Sequence, residues 1–208
     1  MSTDETTRAS TRRTRAPGDR SRRRVLERAA ALASVEGLDG LSIGRLAETT
    51  GMAKSSVYVL FGSKEEMQLA TIDAARGSFV CEVVEPALST TTPGRERLLA
   101  LCDGFLDYVE RRVFPGGCFF VATSAELGGR SGPVHDRVAT YQQQWRDLLT
   151  QSAREAAAED QLPPGTDPDQ LAFELGAILT GTSIVSVLHS DDAVIDRARR
   201  SLRERLRV

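Results

Sequence analysis

The sequence predicts an all-α fold of about nine helices. Three observations point to it. Apolar residues recur at a spacing of three and four along most of the chain, which is the period of one helix face. No alternating apolar and polar segment of useful strand length occurs, and no internal repeat is found. Glycines and prolines fall between the periodic segments, at Gly37, Gly51, Pro86, Pro93, Pro115, Gly128-Gly129 and Pro163-Pro164-Gly165, where helices need stops.

The elements follow in order. Residues 20–36 place Val25, Ala29, Leu32 and Ala33 at helical spacing, and Gly37 supplies the stop. Ser42 is placed to cap a short helix carrying Ile43, Leu46 and Ala47, after which Gly51 marks a tight turn. A second short helix covers 53–60. Ser63 and Glu66 have capping-box spacing and open a helix over 64–84, which is expected to stop before Pro86. Further helices are expected at 94–112 and 118–127. Val134, Val138, Tyr141, Trp145, Leu148, Leu149 and Ser152 stripe a long helix ending near Ala158. Residues 169–189 are apolar on most sides, and 192–206 are amphipathic through Val194, Ile195, Ala198, Leu202 and Leu206.

Charge divides the chain. Residues 1–64 hold 12 Lys/Arg against 7 Asp/Glu, whereas 65–208 hold 15 against 22. A basic first third on an acidic remainder implies that one end meets a polyanion. Residues 1–24 contain eight arginines and, after Met1, no large apolar side chain. Such a segment is expected to be disordered alone; it reads either as a solvated charge run or as an arm that neutralises phosphates and follows a minor groove.

Several classes find no support. There is no uninterrupted run of about 18 apolar residues to cross a membrane, and the basic N-terminus lacks the apolar core of a secretion signal, so a cytoplasmic location is the default expectation. Cys81, Cys102 and Cys118 form no C-x-x-C pair, and His135 and His189 lie far apart, so no metal site is expected. The thiols read as small buried hydrophobes or, alternatively, as a redox or electrophile sensor. An enzyme built on Ser124, His135 and Asp136, or on Cys118, lacks a nucleophile-elbow or metal context. No Gly-rich phosphate loop occurs either, and no cofactor is implied.

The pair of short helices is the informative piece. Val57, Leu60 and Phe61 sit at i, i+3 and i+4 and face inward together. Ser55, Tyr58 and Val59 then point away, flanked by Lys54 and Ser56. Eight helical residues span about 12 Å, which suits a major groove of similar width. Lysine and serine donate to phosphates or base edges, a tyrosine hydroxyl suits a phosphate, and Val59 suits a thymine methyl.

The stretch Leu41-Ser-Ile-Gly-Arg-Leu-Ala-Glu-Thr-Thr-Gly-Met-Ala-Lys-Ser-Ser-Val-Tyr-Val-Leu-Phe-Gly-Ser-Lys-Glu-Glu-Met67 resembles the DNA-binding signature of the tetracycline-repressor (TetR) family. The preceding Ala-rich helix ending at Glu36-Gly37 matches too. The resemblance covers about 50 residues at motif level; beyond them, helix count and order agree with a family that typically has nine helices. It implies a sequence-specific transcription regulator, most simply a repressor released from its operator by a small molecule, and not an enzyme. By position it implies that Ser42 caps helix 2 and touches a phosphate. Lys54, Ser55, Ser56 and Tyr58 fall on the recognition helix, and Lys64 meets the DNA backbone. Arg45 is placed either to reach a phosphate or to stand in solvent. Val59 and Leu60 depart from the family, where many members carry Tyr, Trp or His, so the operator does not transfer from relatives. A non-specific architectural binder would leave the large acidic domain unexplained.

The implied division is an arginine-rich arm over 1–19, a helix-turn-helix domain over 20–69 and an effector-binding and dimerisation domain over 70–208. The resemblance implies that the helices at 171–189 and 194–206 pair with their copies in a homodimer, and the apolar width of the first supports this, because a helix apolar on most sides must be buried on most sides. An intrachain burial would give the same pattern. A two-fold dimer suits palindromic double-stranded operator DNA. Candidate effector-pocket residues are Cys102, Phe105, Phe119, Phe120, Tyr141, Trp145 and Phe173, with Cys118 near in sequence; core packing is the alternative role for each aromatic. With only Glu126 and His135 as charged candidates, the sequence favours a neutral or weakly polar organic ligand.

Overall fold

The computed structural model describes residues 17–207, with side chains from residue 21 onward. The arginine-rich segment before residue 17 lies outside the described residues. The described residues form ten α-helical segments and one π-helical turn, and no strand.

Helix α1 (Pro17–Gly40) buries Val25, Leu26, Ala29, Ala30 and Ala33 along one face. Its regular part ends where expected, at Gly37, whose φ of 79° is open to glycine at little cost. Helix α2 (Ile43–Thr50) starts on Ser42, whose Oγ accepts the Arg45 N–H at 3.1 Å. Helix α3 (Lys54–Phe61) follows, and α4 (Lys64–Phe79) opens on Ser63, whose Oγ accepts the Glu66 N–H at 3.0 Å. These side-chain acceptors satisfy N–H groups that a helix start leaves unpaired.

The expected stop before Pro86 does not occur. Helix α4 runs into a π-turn, Val80–Val84, and then into α5 (Glu85–Thr90), so one rod passes through the proline. The Glu85 N–H bonds the Val80 carbonyl, five residues back. The wider turn lies immediately before Pro86, where an ordinary helix would meet the missing N–H and the ring's clash with a carbonyl. Counted as rods, the described residues give nine helices.

Helix α6 (Arg95–Glu110) is the centre of the larger body. Leu98, Leu101, Cys102, Phe105, Leu106, Tyr108 and Val109 are all buried. Each large apolar side chain there contributes about 1.5–3 kcal/mol before the entropy of ordering is set against it. Helices α7 (Phe119–Leu127), α8 (Pro133–Ala158), α9 (Pro168–Leu188) and α10 (Ala193–Leu206) complete the chain. Helix α7 packs on α1, α8 packs on α4, α6 and α9, and α10 packs on α6 and α9. Although no unbroken apolar run exists, α9 is long and apolar enough to cross a membrane by length and composition. Here it packs against α6, α8 and α10, with Leu171, Leu175 and Leu179 buried.

Candidate DNA-reading face, domain junction and cavity

Helix α3 turns Val57 and Phe61 into the small core, with Leu60 half-buried. The Arg22 guanidinium of α1 lies 5.5 Å over the Phe61 ring. Lys54, Ser55, Ser56, Tyr58 and Val59 all stand exposed on the other side. Tyr58 is 58% exposed and Val59 84%, so neither covers the core. The Lys54 stem crosses close to α2, where a side chain at Gly44 would meet its Cε at 3.4 Å.

The other three candidates each hold structure. Ser42 is the α2 cap. Arg45 places its Nη2 2.6 Å from Glu36 Oε1, with Nε also on that carboxylate and Glu48 at 3.6 Å. The hydrogen bond from Arg45 holds the Glu36 carboxyl below its ordinary value. Lys64 donates from Nζ to the Asp39 carbonyl at 2.8 Å, tying the head of α4 to the end of α1.

That same end of α1 is gripped from the larger body. The Glu126 carboxylate on α7 accepts the N–H groups of Leu38 and Asp39, each at 2.7 Å. Arg130 pairs with Asp39, and Gln68 donates to the Leu38 carbonyl at 2.6 Å. Nearby, the Gly116 N–H bonds Ser34 Oγ at 3.1 Å. Glu126 is therefore a junction residue and lines neither the aromatic cavity nor the groove between α8 and α9 described below. No local pattern marks this role, since its partners lie 87 and 88 residues away.

A cavity of about 290 Å³ lies between α4, the π-turn, α6, α7, α8 and α9. Of the seven candidates, Phe105, Phe120, Tyr141 and Trp145 line it. Cys102 and Phe119 are buried in the core without lining it, and Phe173 is 70% exposed on α9, away from this cavity. Cys118 does line it. Phe79 and Arg76 also line it, and neither is a candidate from the sequence. The Phe79 side chain is the hub of the ring cluster. Its ring meets Trp145 at 5.1 Å, Tyr108 at 5.5 Å and Phe105 at 6.2 Å, all near edge-to-face, a favoured geometry for aromatic pairs. The Tyr141 hydroxyl donates to Asp73 at 2.7 Å, and Arg137 grips the same carboxylate at 2.5 and 2.6 Å.

The cysteines divide. Cys102 and Cys118 are buried and Cys81 is exposed. Burial pushes the Cys118 thiol up to about 11 against the pull of the Val121 and Phe120 N–H groups, so it stays protonated at neutral pH. Among the described residues no three His, Cys, Asp or Glu side chains form a metal-binding group.

A larger open groove, about 760 Å³, runs between α8 and α9. His135 lines this groove, not the aromatic cavity, and pairs with Asp136 at 2.9 Å. On the groove side α9 exposes Phe173 and Ile184, with Leu188 exposed at its end. Helix α10 differs: its apolar residues Ile195, Ala198, Leu202 and Leu206 are buried, packed within the chain on α6 and α9. Its Arg199 meets Asp103, Asp107 and Glu110. The apolar stripe of α10 is thus buried within its own chain.

A three-helix unit with a short exposed helix, mounted on a helical body that encloses an aromatic cavity, defines a one-component DNA-binding transcription regulator. Residues 25–71 match the bacterial regulatory proteins of the tetR family, and residues 94–202 match the tetracyclin repressor-like C-terminal domain. The chain belongs to the TetR family, which is one of transcription regulators and not of enzymes. It is 24% identical to the HTH-type transcriptional repressor ComR of Escherichia coli K12 over 79% of this chain and 81% of that one. It is 32% identical to the HTH-type transcriptional activator FasR of Mycolicibacterium smegmatis, over 46% of this chain and 43% of FasR. The crystal structure of a TetR transcriptional regulator from Chloroflexus aurantiacus superposes with a TM-score of 0.79 at 28% identity, covering 89% of this chain and 93% of that one.

Proposed function

We propose that the protein is a homodimeric cytoplasmic repressor that releases palindromic operator DNA when a small organic molecule occupies the aromatic cavity. The observation that carries this reading is the exposed face of α3, where Tyr58 and Val59 stand free of the core beside Lys54, Ser55 and Ser56. An apolar and aromatic pair kept in solvent on so short a helix fits a surface that is covered on binding. In this reading Ser42 adds a phosphate contact. Arg45 and Lys64 act first as braces, because their charges already face Glu36 and the Asp39 carbonyl.

The domains divide at about residue 69. Helix α9 supplies the centre of the dimer interface, with the α8 wall of the groove on one side and the polar edge of α10 on the other. Coupling runs through two rods. Helix α4 begins against Asp39 and ends at the cavity through Phe79 and Val80; α7 lines the cavity with Phe120 and grips Leu38 with Glu126. An effector shifts operator affinity only by binding one arrangement of these rods better than the other.

The test is operator affinity over a salt series. Lys54→Ala weakens binding across sequences and lowers the salt slope by about 1. Val59→Ala changes base preference at one half-site position and leaves the slope intact. Equal binding by wild type and both variants would remove the assignment of α3. A transcription assay with the operator upstream of a reporter separates repression from activation, the two signs that ComR and FasR carry.

A further inference from the structure

The cavity has an uneven charge. Of the residues that line it, Arg76 is the only charged one; the rest are apolar, aromatic or neutral polar. Arg76 is exposed at the edge of the cavity and lies 4.9 Å over the Tyr141 ring, with one hydrogen bond, to Gln144 at 3.4 Å. The acid on the neighbouring turn of α4, Asp73, is already gripped by Arg137 and by the Tyr141 hydroxyl. Arg76 makes no ion pair among the described residues. The edge of the cavity therefore carries one uncompensated guanidinium above a wall of rings.

We propose that the effector is a small amphiphilic carboxylate, with its aromatic or branched apolar body among Phe79, Phe105, Phe120 and Trp145 and its carboxylate on the Arg76 guanidinium. This rests on the reading of the cavity as the effector site. A guanidinium presents parallel N–H groups that match a carboxylate in a two-point contact, and the stack on Tyr141 holds its plane in place. The body must be small. A cavity of about 290 Å³ lies at the low end of ordinary ligand sites, about 300–1,000 Å³. The neutral ligand favoured by the sequence leaves Arg76 unused; an acid uses it.

Trp145 is the single tryptophan of the chain and lines the cavity, so its fluorescence reports occupancy directly. The experiment titrates full-length protein with two matched pairs, 4-phenylbutyrate and its amide, and octanoate and its amide, in wild type and in Arg76→Gln. Arg76 is exposed, so the variant is expected to fold with an unchanged melting temperature. The expected result is acids binding wild type about ten-fold tighter than their amides, an advantage that shrinks with added salt. Arg76→Gln erases that advantage and leaves amide binding unchanged. Amides binding wild type as tightly as acids would overturn the carboxylate proposal and leave the cavity as effector site. An acid preference that survives in Arg76→Gln would also overturn it. If none of the four probes perturbs Trp145, the cavity reading falls and the proposal with it.

Discussion

The Glu126 carboxylate accepts the Leu38 N–H at 2.7 Å and spans the boundary between the DNA-reading unit and the larger body. Its second oxygen accepts the Asp39 N–H at the same distance. Glycine at position 37 turns the chain out of α1, so these amides have left the helical ladder and need an outside acceptor. Glu126→Ala leaves the part-buried Leu38 N–H without an acceptor and hands the exposed Asp39 N–H to water, at an expected cost of about 1–3 kcal/mol. For a chain of this size that lowers the melting temperature by about 2–4 °C per kcal/mol. Amide exchange at Leu38 and Asp39 is expected to accelerate in the variant. Unchanged exchange at both positions would show that the contact is dispensable.

Gly116 offers a sharper steric test. A Cβ at this position would stand 1.8 Å from the Ser34 carbonyl oxygen, a backbone atom that cannot swing aside. Gly116→Ala is expected to destabilise the protein by about 1–3 kcal/mol, in the range of other overpacked sites. Gly129 has open space around its Cβ direction and serves as the control. Thermal denaturation of both variants checks this, with Gly129→Ala expected to match wild type closely.

The local features of the fold were legible in the sequence and the long-range ones were not. Ser42, Ser63 and Gly37 act on residues within a turn of themselves, so their cap and stop roles could be read directly. The passage of α4 through Pro86 depends on the π-turn before it, which no residue pattern announces. Phe79 and Arg76 fall within the helix expected over 64–84, and nothing local marks them, because their cavity partners come from α6, α7 and α8. The spacing of Ile195, Ala198, Leu202 and Leu206 marks an apolar stripe on α10, but a stripe does not say whether it is buried in its own chain or against a copy.

The exposed face of α9 leads to a prediction on assembly. Phe173, Ile184 and Leu188 are 70%, 50% and 72% exposed. An apolar set of this kind is stable in water when a partner covers it. Ile184→Asp together with Leu188→Asp is expected to shift the protein from dimer to monomer in sedimentation equilibrium. A substitution on the outer polar edge of α10, Arg200→Ala, is expected to weaken the dimer far less. A dimer untouched by the double aspartate variant would move the interface elsewhere.

Acid stability follows from the arginine-bound carboxylates. Hydrogen bonds from Arg45, Arg154 and Arg205 hold Glu36, Asp169 and Glu174 below their ordinary values. A group whose folded pKa is depressed stabilises fully above its unfolded value and loses that contribution as pH falls through the folded one. The unfolded values are 4.5 for the glutamates and 3.8 for Asp169, so loss begins as pH drops below about 4.5. Glu36 and Asp169 are exposed and Glu174 is half-buried at the surface, which keeps each effect small. Denaturant midpoints measured at fixed salt are expected to fall below that pH. Arg45→Ala is expected to flatten part of the acid limb.

The central claim is that the exposed face of α3 reads a two-fold operator. Selection of bound fragments from random duplex DNA, run in parallel with wild type and with a variant stripped of that face (Lys54→Ala, Ser55→Ala, Tyr58→Phe and Val59→Ala together), tests it most directly. The account predicts that wild type enriches a palindrome with half-sites about 34 Å apart or somewhat more, and that the variant fails to enrich it. Enrichment of the same palindrome by both proteins, or of no motif by wild type, would contradict the account.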